Sequence, residues 1–131
     1  MFQTSHSITF GDCDPAGILF YPNHFRMMDA TFQAWLRSRG MSQGAVRRRF
    51  GAVGTGLVET DATFRAPVRD GDKLVHDLRV EWRERTLLAR YRGTVEGTLA
   101  IEGRETRGLF VEEAGRLRLA PLEPLREALG V

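Results

Sequence analysis

Apolar and polar positions alternate over residues 3–10, with His6, Ile8 and Phe10 on one face and Ser5, Ser7 and Thr9 on the other, which predicts a strand. Gly11-Asp12-Cys13-Asp14-Pro15-Ala16-Gly17 then breaks any regular period. From Pro22 to Arg39 the period changes to that of a helix. Phe25, Met28, Phe32, Trp35 and Leu36 recur three and four apart and form one broad apolar stripe, with Pro22 suited to the first turn and Gly40 to the stop. Ser42 is placed to cap a short second helix running through Phe50, and Gly51–Gly56 reads as a loop. Beyond it the period is two. Strands are predicted over 57–65, 73–83, 87–99 and 104–112, followed by a short helix over 122–129. In the second of these strands Leu74, His76, Leu78, Val80 and Trp82 share a face. In the third, Leu87, Ala89, Tyr91, Val95 and Leu99 point inward.

One very apolar helix beside about five strands joined by short connections gives an α+β class, an antiparallel sheet wrapped around a long central helix, in a single domain spanning 1–131. Such a sheet has edges to protect, so a homo-oligomer is expected, a dimer or a dimer of dimers (homotetramer). The 131 residues carry 19 basic and 17 acidic side chains, a net charge of only +2. That near balance gives no global field of the kind that draws a protein to nucleic acid. No apolar run approaches the roughly 20 residues that span a bilayer, and the N-terminus has no signal-peptide pattern. One cysteine, Cys13, rules out an intramolecular disulfide and fits a reducing compartment; a cytoplasmic location is the expectation.

The chemistry concentrates in Phe10-Gly11-Asp12-Cys13-Asp14-Pro15-Ala16-Gly17-Ile18-Leu19-Phe20-Tyr21-Pro22. Two acids stand where a strand ends, and the chain then enters the start of a helix. A carboxylate close to a carbonyl carbon, with free N–H groups at a helix N-terminus to hold the carbonyl oxygen, is the minimum equipment for hydrolysing an activated acyl group. The same two acids also suit turn formation and helix capping, and the spacing alone leaves both roles open. A thiolate at Cys13 is disfavoured by its acidic neighbours, so it reads as an inert strand-end thiol.

This stretch, with Tyr21-Pro22-Asn23, Asp29-Ala30, Val53-Gly54-Thr55 and Glu81-Trp82-Arg83, closely resembles the 4-hydroxybenzoyl-CoA thioesterase family of the hotdog fold. The resemblance implies an acyl-CoA thioesterase acting on an aromatic, 4-hydroxybenzoyl-type thioester of the kind met in aromatic degradation. It places Asp14 as nucleophile or general base and the Tyr21 amide as donor to the carbonyl oxygen. Thr55 lines the acyl pocket, and Arg83 and Arg85 hold the phosphates of CoA, although Glu84 interrupts the family's basic run there. His24, near the helix start, joins the substrate contacts. CoA is part of the substrate, and no separate cofactor is implied.

Two other activities fit parts of the same pattern. A hydratase or dehydratase of this fold needs His24 or His6 beside the thioester, and an acyl-CoA-binding sensor needs no acid at the carbonyl. No Cys, His and acid cluster has zinc spacing, so no metal is expected. Arg47-Arg48-Arg49 reads as a solvated helix face, and His6 and His76 as packed strand residues.

Overall fold

A computed structural model describes residues 1–131. Its elements are β1 (Phe2–Ser7), a 3₁₀ turn (Phe10–Asp12), α1 (Tyr21–Ser38), α2 (Gln43–Phe50), β2 (Gly54–Phe64), β3 (Lys73–Trp82), β4 (Leu87–Val95), β5 (Thr98–Glu113), β6 (Arg116–Ala120) and α3 (Glu123–Leu129). All pairings are antiparallel, in the order β1-β3-β4-β5-β2, with β6 alongside the distal part of β5. No helix is long and apolar enough to cross a membrane.

The stripe predicted on α1 is the one that packs. Met28, Phe32, Trp35 and Leu36 are buried against Leu78, Leu87, Tyr91 and Ile101 of the sheet. Removing a side chain of this size from water contributes about 1.5–3 kcal/mol. The helix nests closely because β5 carries Gly103 beneath it, where a Cβ would come within 2.6 Å of the Met28 sulfur. A smaller cluster of Ile8, Leu19, Met27, Val68, Leu74 and Ala100 closes the end of the barrel-like curve nearest the start of α1.

Four expectations need correction. The segment 87–99 is not one strand, because Glu96 (φ 48°) and Gly97 (φ 79°) turn the chain between Val95 and Thr98. Ala114 (φ 51°) and Gly115 (φ 76°) do the same between β5 and β6, giving six strands rather than about five. Both are two-residue turns with positive φ at each position, and their Glu-Gly and Ala-Gly sequences lack the Asn or Asp that usually marks such turns. Residues 54–56 are strand, not loop: β2 begins at Gly54, and Gly56 lies so close to the Phe110 ring that a Cβ would approach within 2.7 Å. Phe10 does not face inward on β1. It lies in the 3₁₀ turn and is 82% exposed.

The sheet ends in two different edges. β1 is short and polar on its outer positions, whereas β2 is eleven residues long and leaves Leu57, Val58 and Phe64 about half exposed. A long apolar edge of that kind is a template for pairing with another strand.

Candidate active site

The turn before α1 is organised by its own side chains. Asp12 accepts from the N–H and hydroxyl of Thr9, both at 2.9 Å, and from Arg26 at 3.3 Å; those Thr9 bonds hold its carboxyl below the usual range. This is the structural role open to it in the sequence. Cys13 is half-buried and donates to the Thr9 carbonyl at 3.6 Å, and desolvation with the nearby Asp70 and Asp12 pushes its thiol up.

Asp14 is built differently. Its backbone closes a tight turn, with Gly17 N–H donating to the Asp14 carbonyl at 2.9 Å and Gly17 in the left-handed region at φ 79°. One carboxylate oxygen, Oδ1, accepts the Ala16 N–H at 2.9 Å. The other takes no hydrogen bond from the protein, and Asp14 lines a cleft of about 460 Å³ together with Tyr21, His24 and Phe64. Bridges from Cys13 to Leu19 and from Ile18 to Arg69 fix this loop against the body of the protein.

The start of α1 opens on the same cleft. Phe20 is the N-cap residue with extended φ/ψ, Pro22 supplies no N–H, and the Asn23 N–H returns to the Phe20 carbonyl at 2.8 Å. The Tyr21 N–H has no acceptor in the protein. It is therefore a free main-chain donor at the positive end of an 18-residue helix. His24, one turn further, is 4% exposed; its ring packs on Phe64 at 5.2 Å between centroids and its Nδ1 has no partner. Burial lowers its pKa to about 4, so the cleft wall carries a neutral imidazole.

Thr55 lies elsewhere. It lines a second cleft of about 610 Å³ together with Asp29, Gln33, Gln43 and Arg47. From Thr55 to Phe64 is nine residues of strand, about 30 Å at a rise of about 3.3 Å per residue. One chain thus keeps Asp14 and Thr55 at opposite ends of β2. The floor of the second cleft is a buried ionic group that sequence reasoning missed. Arg107, with its side chain 3% exposed, donates to both oxygens of Glu105 at 3.0 Å and to Asp29 Oδ1 at 2.8 Å, and lies over the Phe32 ring at 4.3 Å. Glu105 also accepts from the buried Tyr91 hydroxyl. Only their alternation on β5, at i and i+2, marked these two charges as sharing the inner face.

Arg83 and Arg85 do not project from one strand face, because β3 ends at Trp82 and both lie in the turn to β4. Arg83 borders a shallow groove with Glu59, Asp61 and Arg104, while Arg85 donates to the Leu119 carbonyl at 3.0 Å. Both are exposed, as are Arg47, Arg48 and Arg49. His6 and His76 pack edge to face at 4.9 Å and share the Thr31 hydroxyl, well inside the fold.

Residues 8–129 match the family profile described as the thioesterase-like superfamily. The 4-hydroxybenzoyl-CoA thioesterase of Pseudomonas sp. strain CBS-3 is 34% identical over 120 residues, covering 85% of this chain and 84% of its own. A 1,4-dihydroxy-2-naphthoyl-CoA hydrolase of Synechococcus sp. strain CC9605 is 34% identical over 87 residues, 60% of this chain and 56% of that one. Among solved structures, a 4-hydroxybenzoyl CoA thioesterase carrying an aspartate-to-asparagine substitution, complexed with 4-hydroxybenzoyl CoA, aligns with a TM-score of 0.89 at 27% identity over 98% of this chain and 96% of its own. With the sequence match and the whole-chain superposition in agreement, the chain belongs to the thioesterase-like superfamily and is a thioester hydrolase of the hotdog fold.

Proposed function

We propose that this enzyme hydrolyses an aromatic acyl-CoA of the 4-hydroxybenzoyl type, with Asp14 acting on the thioester carbonyl. The observation that carries this reading is one cleft lined by both Asp14, which has an unpaired carboxylate oxygen, and Tyr21, whose N–H is free. The thioester oxygen accepts from Tyr21 N–H, and the helix dipole stabilises the negative charge that develops on it. Asp14 then either attacks the carbonyl carbon, expelling the CoA thiolate and leaving an acyl-aspartyl anhydride that water cleaves, or removes a proton from the water that attacks. Either route consumes one water and releases the free acid and CoA, and neither calls on a cofactor. The relative complexed with 4-hydroxybenzoyl CoA while carrying an aspartate-to-asparagine substitution supports the choice of residue and acyl group.

The enzyme acts as a homo-oligomer in this reading, in the cytoplasm. Two copies pair antiparallel along the exposed edge of β2, covering Leu57, Val58 and Phe64. Antiparallel pairing sets the Thr55 end of one strand against the Phe64 end of the other. The Asp14 cleft of one protomer and the Thr55 cleft of its partner then form one site, with His24 on its wall. Arg83 and Arg85, free of acidic partners and exposed, attract the CoA phosphates.

A thiol-release assay with benzoyl-, 4-hydroxybenzoyl-, phenylacetyl- and short-chain acyl-CoAs tests the function. Fastest turnover on a hydroxylated aryl thioester, lost in Asp14→Asn with the fold intact, is the expected result. Near-native turnover by Asp14→Asn overturns it. Single turnover in heavy-oxygen water separates the routes, since label entering the Asp14 side chain marks the anhydride.

A further inference from the structure

The second cleft is lined by a closed circuit of hydrogen bonds. Arg107 donates to Asp29 Oδ1 at 2.8 Å, and so does Gln33 Nε2 at 3.2 Å. Gln33 Oε1 accepts from Gln43 Nε2 at 3.0 Å, and the second N–H of that amide goes to Thr55 Oγ1 at 2.6 Å. Gln43 Oε1 in turn accepts the Thr55 backbone N–H at 3.0 Å. Arg107 reaches round to the Thr55 carbonyl at 3.5 Å.

The direction of every bond in this circuit is forced. A backbone N–H only donates, so the atom of Gln43 facing it is the oxygen, and the atom facing the Thr55 hydroxyl is the nitrogen. That nitrogen only donates, so Thr55 Oγ1 accepts. A guanidinium likewise only donates, which fixes Asp29 Oδ1 as acceptor and gives Gln33 the amide orientation that suits Gln43. Two groups are left over. The Thr55 hydroxyl keeps its proton, with no acceptor in the protein, and Asp29 keeps Oδ2. The circuit thus presents one donor and one acceptor to the cleft, which the exposed Arg47 also lines.

We infer that Gln43 is a positioning residue that sets the polarity of this cleft: by donating to Thr55 Oγ1 it obliges the Thr55 hydroxyl to donate to the acyl group, beside an Asp29 oxygen that accepts. A substituent that both donates and accepts, a hydroxyl, satisfies the pair. An acceptor-only group leaves the Asp29 oxygen unpaired, and a bare ring leaves both groups unpaired. Gln43 is held for this task at the first position of α2, where Ser42 caps the helix by accepting the Ala45 N–H at 3.1 Å. The inference rests on the proposed reading in which the Thr55 cleft receives the acyl group.

Gln43→Glu is the informative variant. A carboxylate still accepts the Thr55 N–H, but it can only accept from the hydroxyl, which turns the Thr55 proton away from the acyl group. The readout is the ratio of kcat/KM for 4-hydroxybenzoyl-CoA to that for benzoyl-CoA, measured by thiol release. We expect the ratio to fall about tenfold in Gln43→Glu, the worth of one hydrogen bond to a buried group. Thr55→Val should lower it equally, Thr55→Ser should keep it, and the double variant Gln43→Glu/Thr55→Val should fall no further than Thr55→Val.

A ratio that collapses in Thr55→Val but is unchanged in Gln43→Glu overturns the inference and leaves the acyl-cleft reading standing. An unchanged ratio in Thr55→Val overturns that reading, and the inference with it. A loss in Gln43→Glu that is equal for both thioesters and persists in the Thr55→Val background marks a merely structural role, and also overturns the inference. If Gln43→Glu does not fold, Gln43→Leu serves: it frees the hydroxyl to rotate, and the ratio should fall about threefold, a smaller part of the same bond; no change refutes the proposal.

Discussion

The two ends of β2 treat their polar groups in opposite ways. At the Phe64 end, Asp14 has one oxygen tied to a neighbouring amide and the other unpaired, and the Tyr21 N–H is likewise unclaimed. At the Thr55 end Gln33, Gln43 and Thr55 are bonded to one another, and Asp29 is moored to an arginine that is itself buried. Bond-making needs groups whose hydrogen-bonding capacity is released to the reacting atoms. Selection needs groups that cannot adapt to the wrong partner, because an adaptable rotor satisfies any ligand. In the proposed function, the division of labour between the two ends follows from how many bonds each group has already made.

Breaking the reactive end carries the largest effect. Asp14→Asn keeps the Ala16 contact and the shape of the turn but removes the anionic oxygen, and kcat should fall by about 10²–10⁴-fold, the usual worth of a positioned acid or base. An unchanged thermal melt alongside that loss separates chemistry from folding.

At the other end the expected damage is to stability. Arg107→Leu strands the carboxylate of Glu105, whose side chain is 2% exposed, and a buried charge left unpaired costs about 3–5 kcal/mol. The exposed pair Arg104–Asp61, on the opposite face of the same strand, is the control. Arg104→Ala should cost no more than about 1 kcal/mol in urea melts.

Acid should loosen the reactive end and the helix behind it. Burial lowers His24 to about 4 and His76 to about 3, with His6 and His24 adding to the effect on His76. A base whose folded pKa is depressed binds its proton more readily in the unfolded chain. Stability is therefore fully present above pH 6.5 and declines as pH falls from there toward 4 for His24 and toward 3 for His76, by up to about 1.4 kcal/mol per pH unit for each histidine. Urea midpoints at pH 7 and pH 5 measure it, and His76→Phe should flatten the slope.

The smallest effect belongs to the exposed arginines. Arg83→Ala or Arg85→Ala should raise KM for an acyl-CoA by about threefold with kcat unchanged, as solvent-screened ionic contacts are worth up to about 1 kcal/mol. The increase should disappear for the same acyl group on pantetheine, which lacks the nucleotide phosphates.

The same contrast explains what could be read in the chain. The reactive end is one contiguous run, Phe10 to Pro22, where a strand end, a turn and a helix start succeed each other, so its order in sequence is its order in space. The apolar stripe of α1 was legible for a similar reason, being local and periodic. The selective end draws on Asp29, Gln33, Gln43, Thr55 and Arg107, which meet only after β5 has folded back across the helix. Nothing local distinguishes Gln43 from a solvated amide, or Glu105 and Arg107 from the exposed charges Glu102 and Arg104 beside them. The hairpin turns at Glu96-Gly97 and Ala114-Gly115 were hidden because only the glycine at the second position supplies the left-handed preference, while Glu96 and Ala114 are carried into positive φ by the strands they join.

The claim that the two ends of β2 meet across a pair of chains is tested most directly by mixing two inactive variants. Asp14→Asn removes the acid, and Thr55→Trp fills the partner cleft. After co-refolding at equal ratio, half the dimers are hybrids, and one site in each hybrid combines an intact Asp14 with an intact Thr55 from the other protomer. The account predicts recovery of about one quarter of wild-type turnover per chain from this two-fold arrangement. No recovery from verified hybrids would place both halves of the site within one chain and contradict it.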